Sequence, residues 1–176
     1  MTDLRFPVGE FQLDDDNLTD EQRQQFIQEI AETPARLREA VEGLSDEQLD
    51  TPYRPDGWTV RQVVHHVPDS HLNNYIRVKF ALTEDEPTIK PYDEAVWAEM
   101  ADSVATPIEV SLTLLESLHA RWIVLLNSLS PEDFKRVFHH PERGAVSLNM
   151  NVALYAWHGR HHVAHITSLR ERMGWN

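Results

Sequence analysis

The 176-residue chain carries 29 acidic against 16 basic side chains, a formal net charge of −13. So acidic a balance argues against nucleic acid or a membrane as the main partner, because both are met through basic patches. The chain has no Cys, which excludes disulfides, thiolate metal ligands and a Cys nucleophile, and it has 10 His.

The length suits one domain over residues 1–176. Residues 1–18 read as an extended arm, with Pro7, Gly9 and the run Asp14-Asp15-Asp16. No apolar leader is visible there, and no stretch approaches the ~20 apolar residues of a membrane span, so a cytoplasmic protein is expected. Thr19-x-x-Gln22 has the form of a capping box, in which each side chain satisfies a free N–H of the other's turn. Phe26, Ile30, Leu37, Val41 and Leu44 follow at helical spacing, with Gly43 near the end. Pro34 predicts a kink or break within this helix.

Ser45-x-x-Gln48 is a second capping box, opening a short helix, and the Pro and Gly of residues 52–57 predict a loop. Thr59-x-x-Gln62 is a third, starting a helix that reaches about Leu82 and is bent at Pro68. Residues 83–105 read as a long connection with a short helix near Glu94–Met100. Thr106 then serves as N-cap, with Pro107 as first helical residue. The helix they open runs to about Leu129, with Leu112, Leu115, Leu118, Trp122, Leu125 and Leu129 inward. Residues 136–147 are loop or hairpin-like, with no convincing β pattern. A last helix spans Ser147 to Met173, closed by Gly174. Four helices of roughly 24–26 residues, about 36–39 Å each, pack naturally as an all-α four-helix bundle. The 83–105 connection is long enough to cross the bundle, so an up-down-up-down order does not follow.

Most of the His fall in two runs, His65-His66 with His71, and His158 with His161, His162 and His165. On a wheel at about 100° per residue, with His158 at zero, His162 falls at about +40°, His165 at about −20° and His161 at about −60°. The apolar stripe of that helix centres near about +35°, so His158 and His162 point inward and His161 reads as edge or solvent. Two inward imidazoles need partners, and one metal satisfies both. Two His from this helix and one from another make a three-His site with open positions, suited to Zn²⁺ or Ni²⁺ and to water of lowered pKa. The same run also reads as an exposed, weakly chelating patch.

The stretch Gly57-Trp58-Thr59-Val60-Arg61-Gln62-Val63-Val64-His65-His66, continuing to Asp69-Ser70-His71, resembles the second-helix motif of the DinB/YfiT superfamily. His158-x-x-His161-His162-x-x-His165 resembles its H-x-x-H-H-x-x-Q motif, with His165 where Gln is usual. Residues 6–10, 49–54, 90–94 and 172–175 also resemble the YfiT branch, so the likeness spans nearly the whole chain. The resemblance implies a bundle of the DinB/YfiT type with long crossover connections, a homodimer, and one divalent metal per chain, Zn²⁺ or Ni²⁺. By position it assigns the ligands as His66, His158 and His162. It leaves His165 as a ligand or as a hydrogen-bonding partner in place of the Gln.

Asp69, three residues after His66, is a candidate general base or surface carboxylate. Trp58, Tyr155, Trp157 and His161 are candidates to line a pocket, although aromatic residues at helical spacing are more often core. A nucleophilic Ser70 is discounted, because its neighbour His71 points away from it on a helix. The leading expectation is a metal-dependent hydrolase acting on a small molecule. The rivals are a thiol S-transferase of the bacillithiol type, whose sulfur must come from an external low-molecular-weight thiol, and a non-catalytic metal-binding stress-response module.

Overall fold

The expected capping boxes all form. Thr19 with Gln22, Ser45 with Gln48 and Thr59 with Gln62 each close reciprocal side-chain to backbone bonds. In the computed structural model, which describes residues 3–175, they open α1 (Asp20–Val41), α2 (Asp46–Leu49) and α3 (Val60–Thr83). Then come α4 (Glu94–Ala98), α5 (Ala101–Ala105), α6 (Ile108–Asn127), a 3₁₀ turn at Asp133–Lys135, β1 (Val137–His140), β2 (Gly144–Ser147) and α7 (Leu148–Met173). Ser147 caps α7, and Gly174 ends it in the left-handed region at φ 65°.

The structure corrects two expectations and decides a third between its alternatives. Thr106 is not the cap of α6. Pro107 stands there without a side-chain bond, and the Thr106 carbonyl meets His65 Nε2 at 3.0 Å. Pro34 does not break α1, which runs on through it, and α3 likewise continues through Pro68. Of the two alternatives for residues 136–147, the hairpin is the one that forms, with β pairing that the sequence pattern did not show. β1 and β2 pair antiparallel, with Phe138 opposite Val146, and His139 is bridged in parallel to Thr88 of the long connection. Strands of four residues are too short to leave a clear alternation in the sequence.

Side-chain pairings give the topology. Arg23 meets Asn149, and Arg170 meets Ala40, so α1 and α7 run parallel. His65 meets Ser111 and His71 meets His119, so α3 and α6 also run parallel. Ile30 pairs with His119 while Arg38 pairs with Glu109, which sets α1 against α6. Asn74 pairs with Asn151 and Ser70 with Tyr155, which sets α3 against α7. The order is therefore up-down-down-up. Parallel α3 and α6 must be joined by a segment that returns along the bundle, and residues 84–107, with α4 and α5, are that crossover.

The core is divided. One apolar cluster gathers Ile30, Val78, Trp122 and Val152; another gathers Leu37, Val64, Leu115 and Ile166. Between them, at mid-height, each long helix contributes polar groups: Thr33 from α1, His66 and His71 from α3, His119 from α6, and His162 and His165 from α7. No helix among the described residues is long and apolar enough to cross a membrane.

Candidate metal centre

α3 and α7 bring His66, His158 and His162 together, each offering a ring nitrogen within 4.8 Å of the others. Their ring centroids lie 5.5 Å (His66–His158), 4.8 Å (His66–His162) and 4.4 Å (His158–His162) apart. The i, i+4 spacing on α7 puts two rings on one face, and antiparallel α3 supplies the third.

Burial lowers the proton affinity of all three. His66 is pushed down to about 4, chiefly by desolvation. His158 and His162 fall well below the ordinary range through desolvation and the neighbouring imidazoles. Neutral imidazole is the form that binds metal. Among the described residues, Nδ1 of His162 is buried without a hydrogen-bond partner, as are Nδ1 of His161 and His165. Buried polar atoms are ordinarily satisfied, so an unpartnered nitrogen within a three-imidazole cluster fits a metal-binding role. With nitrogen donors only, the set suits a borderline ion such as Zn²⁺ or Ni²⁺.

The cluster faces a cavity of about 290 Å³, lined also by Trp58, Ser70, Tyr92, Tyr155, Arg77 and Arg143. A groove of about 840 Å³ between α1 and α6 contains none of the three His. Trp58 packs against His66, ring centroids 4.7 Å apart. Tyr155 is buried, with its hydroxyl 3.4 Å from Ser70 Oγ. Both were expected near the site and both line its cavity.

His161 lines the cavity, as its candidacy for a pocket residue required, but it is not the edge or solvent residue that the helical wheel suggested. It is 7% exposed, because Trp157 stacks on it at 4.4 Å and Phe6 of the N-terminal arm lies 5.9 Å away. The arm is held there by Trp157 Nε1 donating to the Gly9 carbonyl and by His165 Nε2 against the Arg5 carbonyl at 3.1 Å. His165 also stacks on Tyr53 at 3.9 Å. It is therefore a packing and hydrogen-bonding residue outside the three-nitrogen group. Asp69 is half-buried and is not among the residues lining the cavity. Desolvation, then the nearby Asp102, pushes its carboxyl up to about 6.

Two polar residues beside the cluster went unassigned in the sequence. His71 is fully buried, its Nε2 3.1 Å from Nδ1 of His158. His119 of α6 meets His71 Nδ1 at 2.8 Å. His119 lies outside both His runs. Its signal was a polar residue inside an apolar stripe, four after Leu115 and three before Trp122. Ser70, set aside as a nucleophile, points into the cavity with Oγ 3.4 Å from His158 Nε2.

The DinB superfamily profile matches residues 29–166. Proteins of Bacillus cereus and Bacillus mycoides, named "putative metal-dependent hydrolase", are 57% identical over 175 residues, covering 99% of this chain and 100% of theirs. A solved structure of YfiT from Bacillus subtilis, described as a probable metal-dependent hydrolase with an unusual four-helix bundle topology, superposes with a TM-score of 0.95. It is 50% identical and covers 98% of this chain and 99% of that one.

Proposed function

This chain belongs to the DinB superfamily, and on that premise we propose that it is a metal-dependent hydrolase of a small molecule, with His66, His158 and His162 holding one Zn²⁺ or Ni²⁺ per chain. The observation that carries the reading is three neutral, converging imidazoles on the wall of a cavity of about 290 Å³. That volume lies just below the usual range for small-molecule pockets, about 300–1,000 Å³. A divalent ion bound there supplies Lewis acidity that makes water nucleophilic near neutral pH.

The chain's own groups do the rest. Trp58 and Tyr155 wall the cavity and limit bulk water around a substrate. Arg77 and Arg143, at its rim, orient polar substrate groups. Asp69, outside the cavity lining, is given no part in the reaction.

The test is metal analysis joined to turnover. Purified wild type should carry about one equivalent of metal, and a His158→Ala/His162→Ala variant should lose it. Equal metal in both proteins refutes the ligand assignment. Metal-loaded wild type should hydrolyse a reactive ester or amide without added thiol. Turnover that demands a low-molecular-weight thiol would replace hydrolysis with S-transfer, and bound metal with no turnover on either class would leave a binding module.

A further inference from the structure

Pro34 lies inside α1 and has no N–H, so the carbonyl of Ile30, four residues earlier, lacks its ordinary helical donor. That carbonyl is instead met by Nδ1 of His119, 2.8 Å away on α6. Nε2 of His119 lies 2.8 Å from Nδ1 of His71 on α3. Nε2 of His71 lies 3.1 Å from Nδ1 of His158 on α7. A single file of three imidazoles thus crosses all four long helices and ends on a member of the three-His cluster.

The direction of the protons along this file is dictated from its far end. A carbonyl oxygen only accepts, so His119 must carry its proton on Nδ1. A neutral imidazole has one N–H, so Nε2 of His119 accepts and His71 must donate from Nδ1. By the same step Nε2 of His71 accepts, and His158 must donate from Nδ1. Nε2 of His158 is left with a free lone pair. It is also the nitrogen 3.4 Å from Ser70 Oγ, on the cavity side of the ring. The reversed file would place two buried acceptors, Nδ1 of His119 and the Ile30 oxygen, against each other. Burial keeps the rings neutral, with His119 held down at about 4 and His71 and His158 lower than the ordinary range.

We propose that the Ile30 carbonyl, released by Pro34, sets the tautomer of His158 through His119 and His71, and so presents Nε2 of His158 as the metal-binding nitrogen. This inference rests on the metal reading of the cluster. His119 and His71 are positioning residues in it. They act on the metal only through His158, as hydrogen-bond partners of ligating imidazoles commonly do.

The direct test is ¹⁵N NMR of the His rings in metal-free protein, which reports which nitrogen of each ring is protonated. His119, His71 and His158 should all be Nδ1-protonated, rather than the mixture a solvated neutral ring shows. A His158 protonated on Nε2 overturns the proposal. Two variants extend the test, with Zn²⁺ affinity measured by chelator competition. His119→Gln keeps a donor for Ile30 and an acceptor for His71, so the His158 tautomer and the affinity should be retained. His119→Phe removes both, and affinity should fall about 10–100-fold as His158 loses its single tautomer. Equal affinity in the two variants overturns the proposal. If the Phe variant fails to fold, the wild-type tautomers and the Gln variant still decide. Failure to bind any Zn²⁺ would instead count against the metal reading, because the metal-free tautomers are read independently of metal or turnover.

Discussion

His119, His161 and His165 are each buried and held at about 4. The same side chains in an unfolded chain titrate near about 6.5. Between these values the unfolded state binds more protons than the folded state, so stability rises with pH and is lost as pH falls through the window. Asp69 works in the opposite sense, because its folded carboxyl is raised to about 6 and gains protons before the unfolded chain does. It is one carboxyl against these three imidazoles and four more that burial lowers, His66, His71, His158 and His162, so the His trend wins. The metal-free protein should melt at a nearly constant temperature above about pH 7 and at steadily lower temperatures from about pH 6.5 to 4. A flat melting profile across that window would contradict the burial of these imidazoles. At this scale His161 was misread, because a helical wheel scores neighbours within one helix. The cover over His161 includes Phe6, which comes from the other end of the chain.

At the scale of elements, α1 and α7 approach closely at one point. A Cβ added to Gly159 would lie 2.3 Å from Thr33 Oγ1 and 3.2 Å from Thr33 Cβ, so glycine there is a packing requirement of the parallel pair. Gly159→Ala should destabilise the fold by about 1–3 kcal/mol on overpacking grounds, measured by denaturant unfolding. Helix propensity alone predicts the opposite sign, a gain of about 1 kcal/mol for Ala over Gly. A stabilised Gly159→Ala variant would show that α1 and α7 do not meet as described. The elements themselves were largely legible, since capping boxes, long apolar stripes and the terminal Gly174 are local devices. The start of α6 was not, because Thr106 engages His65 of another helix.

For the molecule as a whole, the proposed ligands come from antiparallel α3 and α7, so a bound ion ties two helices of the bundle together. A ligand that binds only the folded state stabilises it, by about 2.7 kcal/mol at a hundredfold excess over Kd. For a chain of this size that corresponds to roughly 5–10 °C in melting temperature. Chelator should therefore lower the melting temperature of wild type by about that amount. It should leave the His158→Ala/His162→Ala variant unmoved. A wild-type melt indifferent to chelator would deny the ion a structural share in the bundle.

The four long helices, most of their caps and the inward His158 and His162 were written in the chain, and a family resemblance singled out His66. These follow from periodicity, capping chemistry and motif, all of which act over a few residues or repeat in relatives. The up-down-down-up order and the burial of His161 came from packing alone. Packing also joined Ile30 and His119 to the cluster through His71. Each of those depends on groups far apart in the chain, such as the Pro34-released carbonyl of Ile30 and an imidazole 89 residues later. No local pattern encodes such a meeting, because it exists only once four helices have packed side by side.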